Sequence, residues 1–284
     1  MKSNPPDPGG PEGLPYELTA ALDRARSRLG RLGSAIVFFE TIGSTNDEAA
    51  ARSAQRSASL SGERAEGLVV TADEQTAGRG RRGHTWFSPP GSGLYVSVVL
   101  TPGRSIDPAR ATTLLTLAAG VALAEGIEQA AGLRVDLKWP NDLQVSRRKL
   151  GGILAESSGT GGAADTVVVG YGLNVLATAF PPELGDRATS LESELGRAID
   201  RHQLLAETLA ALSRRYEDLL AGRFDAILDA WRRLAPAASG ARVTWTTNAG
   251  AASGVTAGID ERGGLLVRIG DRVERIVSGE VAWL

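Results

Sequence analysis

The stretch TADEQTAGRGRRGHTWFSPPGSGLYVSVVL, residues 71–100, decides how the rest of the chain is interpreted. Its centre, GRGRRG at residues 78–83, contains three glycines and three arginines. Glycine lets the backbone adopt positive φ and lets a ligand approach the main chain closely. Arginine offers a fixed fork of donors that fits two oxygens of a carboxylate or phosphate. These residues therefore predict a loop that wraps a small anion, and we call residues 78–86 the arginine loop.

Two other interpretations of this loop compete with an anion-binding role. The glycine spacing matches the dinucleotide fingerprint G-x-G-x-x-G, which requires a helix to begin within the motif. The following HTWFSPPG, residues 84–91, contains two prolines and a glycine, which prevent a helix of useful length. A solvated basic hairpin tip explains the arginines but not the flanking Gln75 and Trp86. The dinucleotide interpretation is therefore disfavoured.

Composition narrows the class of protein further. A length of 284 residues favours about two domains, and a net charge of −2 opposes general nucleic-acid binding. The chain has no cysteine and two histidines, His84 and His202, which argues against thiolate chemistry and a His-rich metal site. The longest uncharged apolar run, residues 111–124, is shorter than the ~20 residues of a membrane span. We expect a cytoplasmic protein with neither a DNA nor a membrane partner.

The pattern of elements predicts an α+β fold, with a mixed or antiparallel sheet, flanking helices and a small C-terminal β-barrel. We divide the chain into a disordered tail with a short helix (1–34), a catalytic domain (35–235) and a C-terminal domain (236–284), with 235–240 as linker. The expected strands are 35–40, 67–72, 94–100, 133–138, a hairpin of 143–145 and 150–156, and 166–175. The expected helices are 16–31, 45–58, one from Asp107–Pro108 to Gly132, 201–220 capped by Asp200, and 224–234.

A second group of chemically suggestive residues lies at 138–152. Lys138 and Lys149 add positive charge, and Asp142 could hold Mg²⁺ on phosphate oxygens, because Mg²⁺ favours one or two carboxylates plus phosphates. Positioned cations lower the repulsion between a carboxylate and a phosphate. Forming an acyl-adenylate needs no enzyme nucleophile, so it suits a chain without cysteine. Trp86 could cover an adenine or close the loop, whereas core packing explains Trp139 equally well.

The order of these pieces resembles a known family. Ser44-Thr45-Asn46, GRGRRGHTWFSP, KWPNDL, RKLGGILAE and VGYGLNV together resemble a biotin–protein ligase over residues 35 to about 180. GVTAGIDERGGLLV (254–267) and SGEV (278–281) are similar to that family's small SH3-like barrel. The resemblance implies a class II synthetase-like fold. Since only about 34 residues precede the core, we expect the short form without an N-terminal DNA-binding domain, as a monomer or weak homodimer.

The resemblance also implies an activity in two half-reactions. Biotin and MgATP form biotinyl-5′-AMP and pyrophosphate, and the biotinyl group then passes to a lysine of the biotin carboxyl carrier domain of acetyl-CoA or a related acyl-CoA carboxylase. ATP, Mg²⁺ and biotin are therefore implied, without a tightly bound organic cofactor. The arginine loop should be mobile when empty and close over the adenylate.

The implied site residues follow motif by motif. Lys149 and Arg81 are expected to be catalytic. Biotin is expected to contact Ser44, Thr45, Asn46, Gln75, Gly78, Arg79, Gly80, Arg81, Lys149 and Gly152. ATP or the adenylate is expected to contact Arg79, Arg81, Arg82, Trp86, Lys138, Asn141, Asp142, Lys149 and Asn174, with Asp142 as the Mg²⁺ ligand.

Two alternatives and one local ambiguity remain at this point. A lipoate or octanoate ligase or transferase shares the fold, although KWPND and GRGRRG favour biotin. A non-catalytic nucleotide-binding module is opposed by Lys149 together with the arginine loop. Thr45 with Glu48 forms a capping-box pattern, and capping by either Ser44 or Thr45 would leave the other hydroxyl free beside the helix.

Overall fold

The computed structural model describes residues 13–33, 35–58, 65–157, 166–176, 180–181, 184–247 and 250–284. The predicted disorder of the N-terminal tail falls mostly on residues 1–12, which lie outside this range. The helices are α1 (Tyr16–Leu29), α2 (Thr45–Ala58), α3 (Pro108–Ala131), α4 (Leu191–Leu195), α5 (Arg201–Leu220) and α6 (Phe224–Leu234). The first seven strands are β1 (Ala35–Ile42), β2 (Leu68–Gln75), β3 (Gly93–Leu100), β4 (Asp136–Lys138), β5 (Asp142–Val145), β6 (Arg148–Ser157) and β7 (Val167–Asn174).

These strands form one sheet in the order β1-β2-β3-β7-β6-β5-β4. β1 and β2 are parallel, because α2 connects them as a crossover, and the remaining pairs are antiparallel. The predicted strand at 133–138 is shorter than expected, since β4 begins at Asp136. The mixed sheet places the carboxyl ends of β1 and β2 beside the N-terminus of α2.

Helices cover both faces of this sheet. A large core of α1, α3, α5 and α6 packs on one face, with Leu114, Leu123 and Leu209 fully buried, and α2 covers a smaller core on the other. The capping residues in the sequence correctly predicted both ends of α3. Asp107 accepts a hydrogen bond from the Arg110 amide, and Gly132 ends the helix with a φ of 74°. By length and composition α3 would pass as a membrane span, but 72% of its most apolar window is buried in this core.

The C-terminal residues form a separate antiparallel sheet. Its strands are β8 (Ser239–Thr247), β9 (Gly250–Ile259), β10 (Leu265–Ile269), β11 (Arg272–Ile276) and β12 (Val281–Trp283), in the order β11-β10-β9-β8-β12. Trp245, Leu265 and Val267 belong to the same buried cluster as the helical core. The predicted linker is a 3-10 turn, Pro236–Ala238, with Ala235 and Ala238 buried. The C-terminal sheet therefore packs directly on the rest of the chain, while the domain boundaries stay a prediction.

Candidate active site

One cavity of about 560 Å³ brings the predicted motifs together. Its walls are the start of α2, the arginine loop, the β5–β6 hairpin, residues 170–174 of β7 and residues 184–188. Residues 279–281, before and at the start of β12, also reach it. Such a position beside the carboxyl ends of parallel strands is where ligands bind in many α/β sheets. Of the residues predicted to bind ligand, all but Gly78 line the cavity.

The beginning of α2 settles which hydroxyl caps the helix. Ser44 Oγ accepts a hydrogen bond from the Asp47 amide (3.5 Å), and the Ser44 carbonyl accepts from the Glu48 amide (3.1 Å). Thr45 is the first helical residue, so the capping box centred on it is wrong. The physical reason is that Thr45 is hydrogen-bonded to Gln75 instead. Gln75 Oε1 accepts from both the Thr45 amide (2.9 Å) and the Thr45 hydroxyl (3.1 Å).

Asn46 continues this polar network into the protein rather than into the cavity. Its Oδ1 lies 2.6 Å from the Ser97 hydroxyl, which is itself 2.8 Å from Thr45 Oγ1. Its Nδ2 donates to Glu156 Oε2 at 2.8 Å, and the residue is 6% exposed. Both polar atoms of the Asn46 amide are therefore engaged by protein groups. We call this end of the cavity, lined by Thr45, Asn46 and Gln75 and supported by the buried Ser97, the neutral end.

The root of the arginine loop is a short antiparallel pairing. The Gly80 amide donates to the His84 carbonyl (2.7 Å), and the Trp86 amide donates to the Gly78 carbonyl (2.9 Å). Arg82 at the tip has φ of 56°. A Cβ at position 78 would lie 2.6 Å from Ser88 Oγ and the Trp86 carbonyl, so only glycine fits there. The main chain of Gly78 is thus packed against the returning strand of the arginine loop.

Arg79 does not point a free charge into the cavity. Its guanidinium donates to both oxygens of Glu156 (2.9 Å each) and to Asp47 Oδ1 (2.5 Å). Burial alone would lower the pKa of Arg79, but Glu156 and Asp47 outweigh it, so the pKa is raised overall. Arg79 was predicted to contact both biotin and the adenylate. In the structure it lines the cavity, and its guanidinium lies between α2 and β6, where it is paired with Asp47 and Glu156.

Arg81 is held differently. Its Nη1 donates to Asn141 Oδ1 (3.0 Å), and Asn141 Nδ2 donates to the Ile153 carbonyl (2.8 Å). The pKa of Arg81 is lowered, first by burial and then by the neighbouring charge of Arg82. Asn141 therefore orients Arg81 and anchors the KWPND segment to β6, so both polar atoms of the Asn141 amide have protein partners.

Lysines complete what we call the cationic end of the cavity, formed by Arg81, Lys138 and Lys149. Burial lowers the pKa of Lys138, and the positive charges of Lys149 and Arg187 lower it further against Asp142 and Glu280. Lys149 Nζ forms an ion pair with Asp142 Oδ1 at 2.7 Å. This ion pair was not anticipated from the sequence.

The donor set bears on the expected metal ion. No group of three His, Cys, Asp or Glu residues suited to a metal ion is present in the part of the chain that the structure describes. Asp142 lines the cavity together with Asp186 and Glu280, and it is paired with Lys149. That arrangement fits Mg²⁺ carried in with a triphosphate, for which one carboxylate suffices, better than a metal ion bound by protein alone.

Glycines form the floor of the cavity. A Cβ at Gly172 would collide with the Trp86 indole, and one at Gly170 would collide with the Asn46 side chain. Because residues 170 and 172 share one face of β7, their lack of side chains makes room for both neighbours. The Lys149 ammonium lies 5.5 Å from the centre of the Trp86 ring. Trp86 Nε1 is buried and has no hydrogen-bond partner among the described residues.

Asn174 lies at the end of β7, where it donates to the Thr189 carbonyl at 3.0 Å. It thereby joins β7 to the segment that follows the cavity-lining residues 184–188. Sequence reasoning missed the supporting residues Asp47, Ser97 and Glu156. A polar residue within the apolar run of β3 was the available signal for Ser97, and the terminal glutamate of RKLGGILAE was the signal for Glu156.

Comparison with known proteins agrees with this geometry. The family model described as biotin/lipoate A/B protein ligase matches residues 39–174, and the biotin protein ligase C-terminal domain matches residues 238–283. The bifunctional ligase/repressor BirA of Bacillus subtilis is 38% identical over 218 residues, covering 76% of this chain and 66% of that protein. The chain thus spans about two thirds of that relative's length.

Two further relatives are covered more completely. The biotin–[acetyl-CoA-carboxylase] ligase of Paracoccus denitrificans is 35% identical, with 70% of this chain and 83% of that protein aligned. The Aquifex aeolicus biotin protein ligase in complex with biotin and ATP superposes with a TM-score of 0.73 and 27% identity over 88% of this chain and 99% of that one. The α+β fold class is confirmed, and the chain belongs to the biotin protein ligase family.

Proposed function

We propose that this chain activates biotin with ATP to biotinyl-5′-AMP and transfers the biotinyl group to a lysine of a biotin carboxyl carrier domain. One observation carries the proposal. A single cavity joins a neutral end, whose groups are mutually hydrogen-bonded, to a cationic end that holds Arg81, Lys138 and Lys149. Biotin has a neutral ureido head and an anionic tail, and ATP adds the phosphates.

The neutral end would recognise the ureido head. Gln75 fixes the Thr45 hydroxyl, and both line the cavity beside Ser44. The main chain at Arg79, which lines the cavity, would supply further polar contacts, whereas Gly78 is packed away from the cavity against Trp86 and Ser88. A lining of neutral polar groups suits the polar ureido head of biotin better than the apolar ends of lipoate and octanoate, which offer those groups no hydrogen bonds. This favours biotin over lipoate or octanoate.

The cationic end would promote adenylate formation. A carboxylate oxygen of biotin attacks the α-phosphorus of ATP, a new O–P bond forms, and the bond to the pyrophosphate oxygen breaks. Lys149 and Arg81 would stabilise the negative charge that accumulates on the oxygens around phosphorus. Lys138, together with Arg82 at the arginine-loop tip, would face the remaining phosphates. Mg²⁺, when bound, would neutralise phosphate charge, with Asp142 as its protein ligand.

The second half-reaction needs access for a protein. The lysine amine of the carrier attacks the acyl carbon of the mixed anhydride, AMP leaves, and the amine loses a proton. Trp86 and Asn174 would border the adenine, and the arginine loop would exclude water from the anhydride. We propose the carrier domain of an acyl-CoA carboxylase as acceptor, supported by the name of the Paracoccus denitrificans relative, and the cytoplasm as location. The predicted lack of DNA and membrane partners and the monomeric or weakly dimeric state stay predictions.

The decisive experiment measures pyrophosphate released by the purified chain with ATP, Mg²⁺ and either biotin, lipoate or octanoate. We expect release with biotin alone, followed by a mass increase on an added carrier domain. Release with lipoate or octanoate but not with biotin would favour the alternative ligase. No release with any acid would favour a nucleotide-binding module.

A further inference from the structure

Glu156 stands at the meeting point of the arginine loop and the neutral end of the cavity. Its two carboxylate oxygens accept from Arg79 Nη1 and Nη2, each at 2.9 Å, and one of them also accepts from Asn46 Nδ2 at 2.8 Å. The same carboxylate therefore contacts one residue of the arginine loop and one residue of the cavity wall. A two-pronged arginine–carboxylate pair fixes orientation as well as distance.

The hydrogen bonds continue on both sides of Glu156. On the wall side, Asn46 leads through Ser97 to Thr45 and Gln75. On the loop side, Arg79 lies within the root pairing, where the Gly80 and Trp86 amides donate to carbonyls across the loop. Gln75 Nε2 then donates to Ser88 Oγ, which contacts the Trp86 carbonyl. The path thus returns to the arginine loop and closes on itself.

Several features favour a positioning role over a general contribution to stability. Arg79 and Glu156 are partly exposed, with 43% and 36% of their side chains accessible, so the ion pair contributes little to folding by itself. Asp47 is more exposed, at 64%, and contacts Arg79 through one oxygen. Glu156 also lies on β6, seven residues after Lys149 on the same strand. At the usual rise of a strand, the main chains of these two residues are about 23 Å apart.

We infer that Glu156 is a positioning residue that locks the arginine-loop root to the neutral end through Arg79 and Asn46. Only the loop tip, residues 81–83, is then left to adjust over the adenylate. This deepens the proposed function, because it assigns Arg79 an anchoring role and leaves Arg81 as the loop arginine that meets the ligand. It also makes the shape of the biotin pocket depend on a carboxylate that does not face biotin.

The first test uses the ligand-free protein and is independent of activity. Hydrogen exchange of the Gly80 and Trp86 amides reports directly on the loop root. In Glu156→Gln we expect both amides to exchange about tenfold faster, the scale of losing a charged hydrogen bond. Asp47→Asn should have a smaller effect. Glu125→Gln, which alters an ion pair with Arg214 and Arg215 in the helical layer, is the matched control and should leave both amides unchanged.

The second test measures steady-state kinetics. Glu156→Gln should raise KM for biotin about tenfold with a smaller change in kcat for pyrophosphate release. Arg79→Ala should act similarly, and the double variant should be no worse than the more severe single variant, because residues of one network are not additive. Arg79→Lys, which keeps the charge but loses the fork, should reproduce the loosened root. Arg79→Lys also tests the inference if Glu156→Gln does not fold.

Unchanged amide exchange in both Glu156→Gln and Arg79→Lys would overturn the inference. Additive effects of Arg79→Ala and Glu156→Gln would do the same, since they would show that Arg79 meets the ligand by itself. If the native chain releases no pyrophosphate with biotin, the proposed function fails, and the exchange measurement alone then decides on the positioning role.

Discussion

The two ends of the cavity differ in whether their polar and charged groups are already paired within the protein. At the neutral end, Thr45, Gln75 and Asn46 are bonded to one another or to neighbours, and Arg79 is paired with two carboxylates. At the cationic end, burial lowers the pKa of both Lys138 and Arg81, and neighbouring positive charges lower them further. The first end is complete without a ligand, whereas the second is stabilised by an anion. The difference shows which part of a ligand each end accepts.

Lys149 offers the strongest test of this contrast. Lys149→Ala should slow adenylate formation by roughly 10³-fold, the scale of removing one group that stabilises transition-state charge, while biotin affinity changes little. Rapid-quench measurement of adenylate formation, with calorimetric titration of biotin, separates the two effects. Lys149→Arg keeps a positive charge and should recover part of the rate. Near-normal turnover in Lys149→Ala would remove this residue from the catalytic role.

Arg81 should have the next largest effect. Arg81→Gly removes a charged donor beside the adenylate, and we expect the intermediate to escape about 30-fold faster. Escape is measured as biotin labelling of a bystander protein that carries no carrier domain. Arg82→Gly is the comparison and should raise escape less than Arg81→Gly, because Arg82 is exposed, and glycine tolerates its φ of 56°. Equal labelling by the native chain and Arg81→Gly would contradict the role of Arg81.

The neutral end predicts a smaller and more selective change. Thr45→Val keeps the shape but removes the hydroxyl that donates to Gln75, so biotin should bind about fivefold more weakly. ATP affinity should stay constant, because the cationic end is unaltered. Titrations of each ligand by calorimetry provide the measurement. An equal loss for both ligands would mean that the two ends are not independent.

The smallest predicted effect concerns pH. The lowered pKa of Lys138 means that this lysine loses its charge below its ordinary value of 10.5. ATP binding should therefore weaken as pH rises, by about twofold at the pH where half the lysines are neutral. Lys138→Arg, which stays charged, should shift this decline upward. KM for ATP measured between neutral and alkaline pH tests this, and identical profiles would exclude Lys138 from phosphate binding.

The sequence predicted the positions of helices and strands better than the hydrogen bonds and ion pairs between side chains. Caps and stops such as Asp107, Gly132 and Asp200 act within a few residues, so they placed the helices correctly. The motifs predicted which segments line the cavity, since each combines charges with glycines that admit a ligand. The partner of Arg79 was out of reach, because Glu156 is 77 residues away and its direction depends on strand register. Strand register also decides the Lys149–Asp142 ion pair within the β5–β6 hairpin. Gln75, which lies 30 residues along the chain from Thr45, decides that Ser44 and not Thr45 caps α2.

The Trp86 indole also gives this protein an optical reporter. Of the five tryptophans, Trp139, Trp231 and Trp245 are buried in the core, whereas Trp86 lies on the glycine floor of the cavity beside the Lys149 ammonium. Its emission should be sensitive to any molecule that displaces the ammonium or pairs with the indole N–H. Because Trp139 also lines the cavity, comparing the native chain with Trp86→Phe would identify the part of the signal that comes from Trp86. Binding of either substrate in the cavity could then be followed by fluorescence in real time, without a label on the substrate.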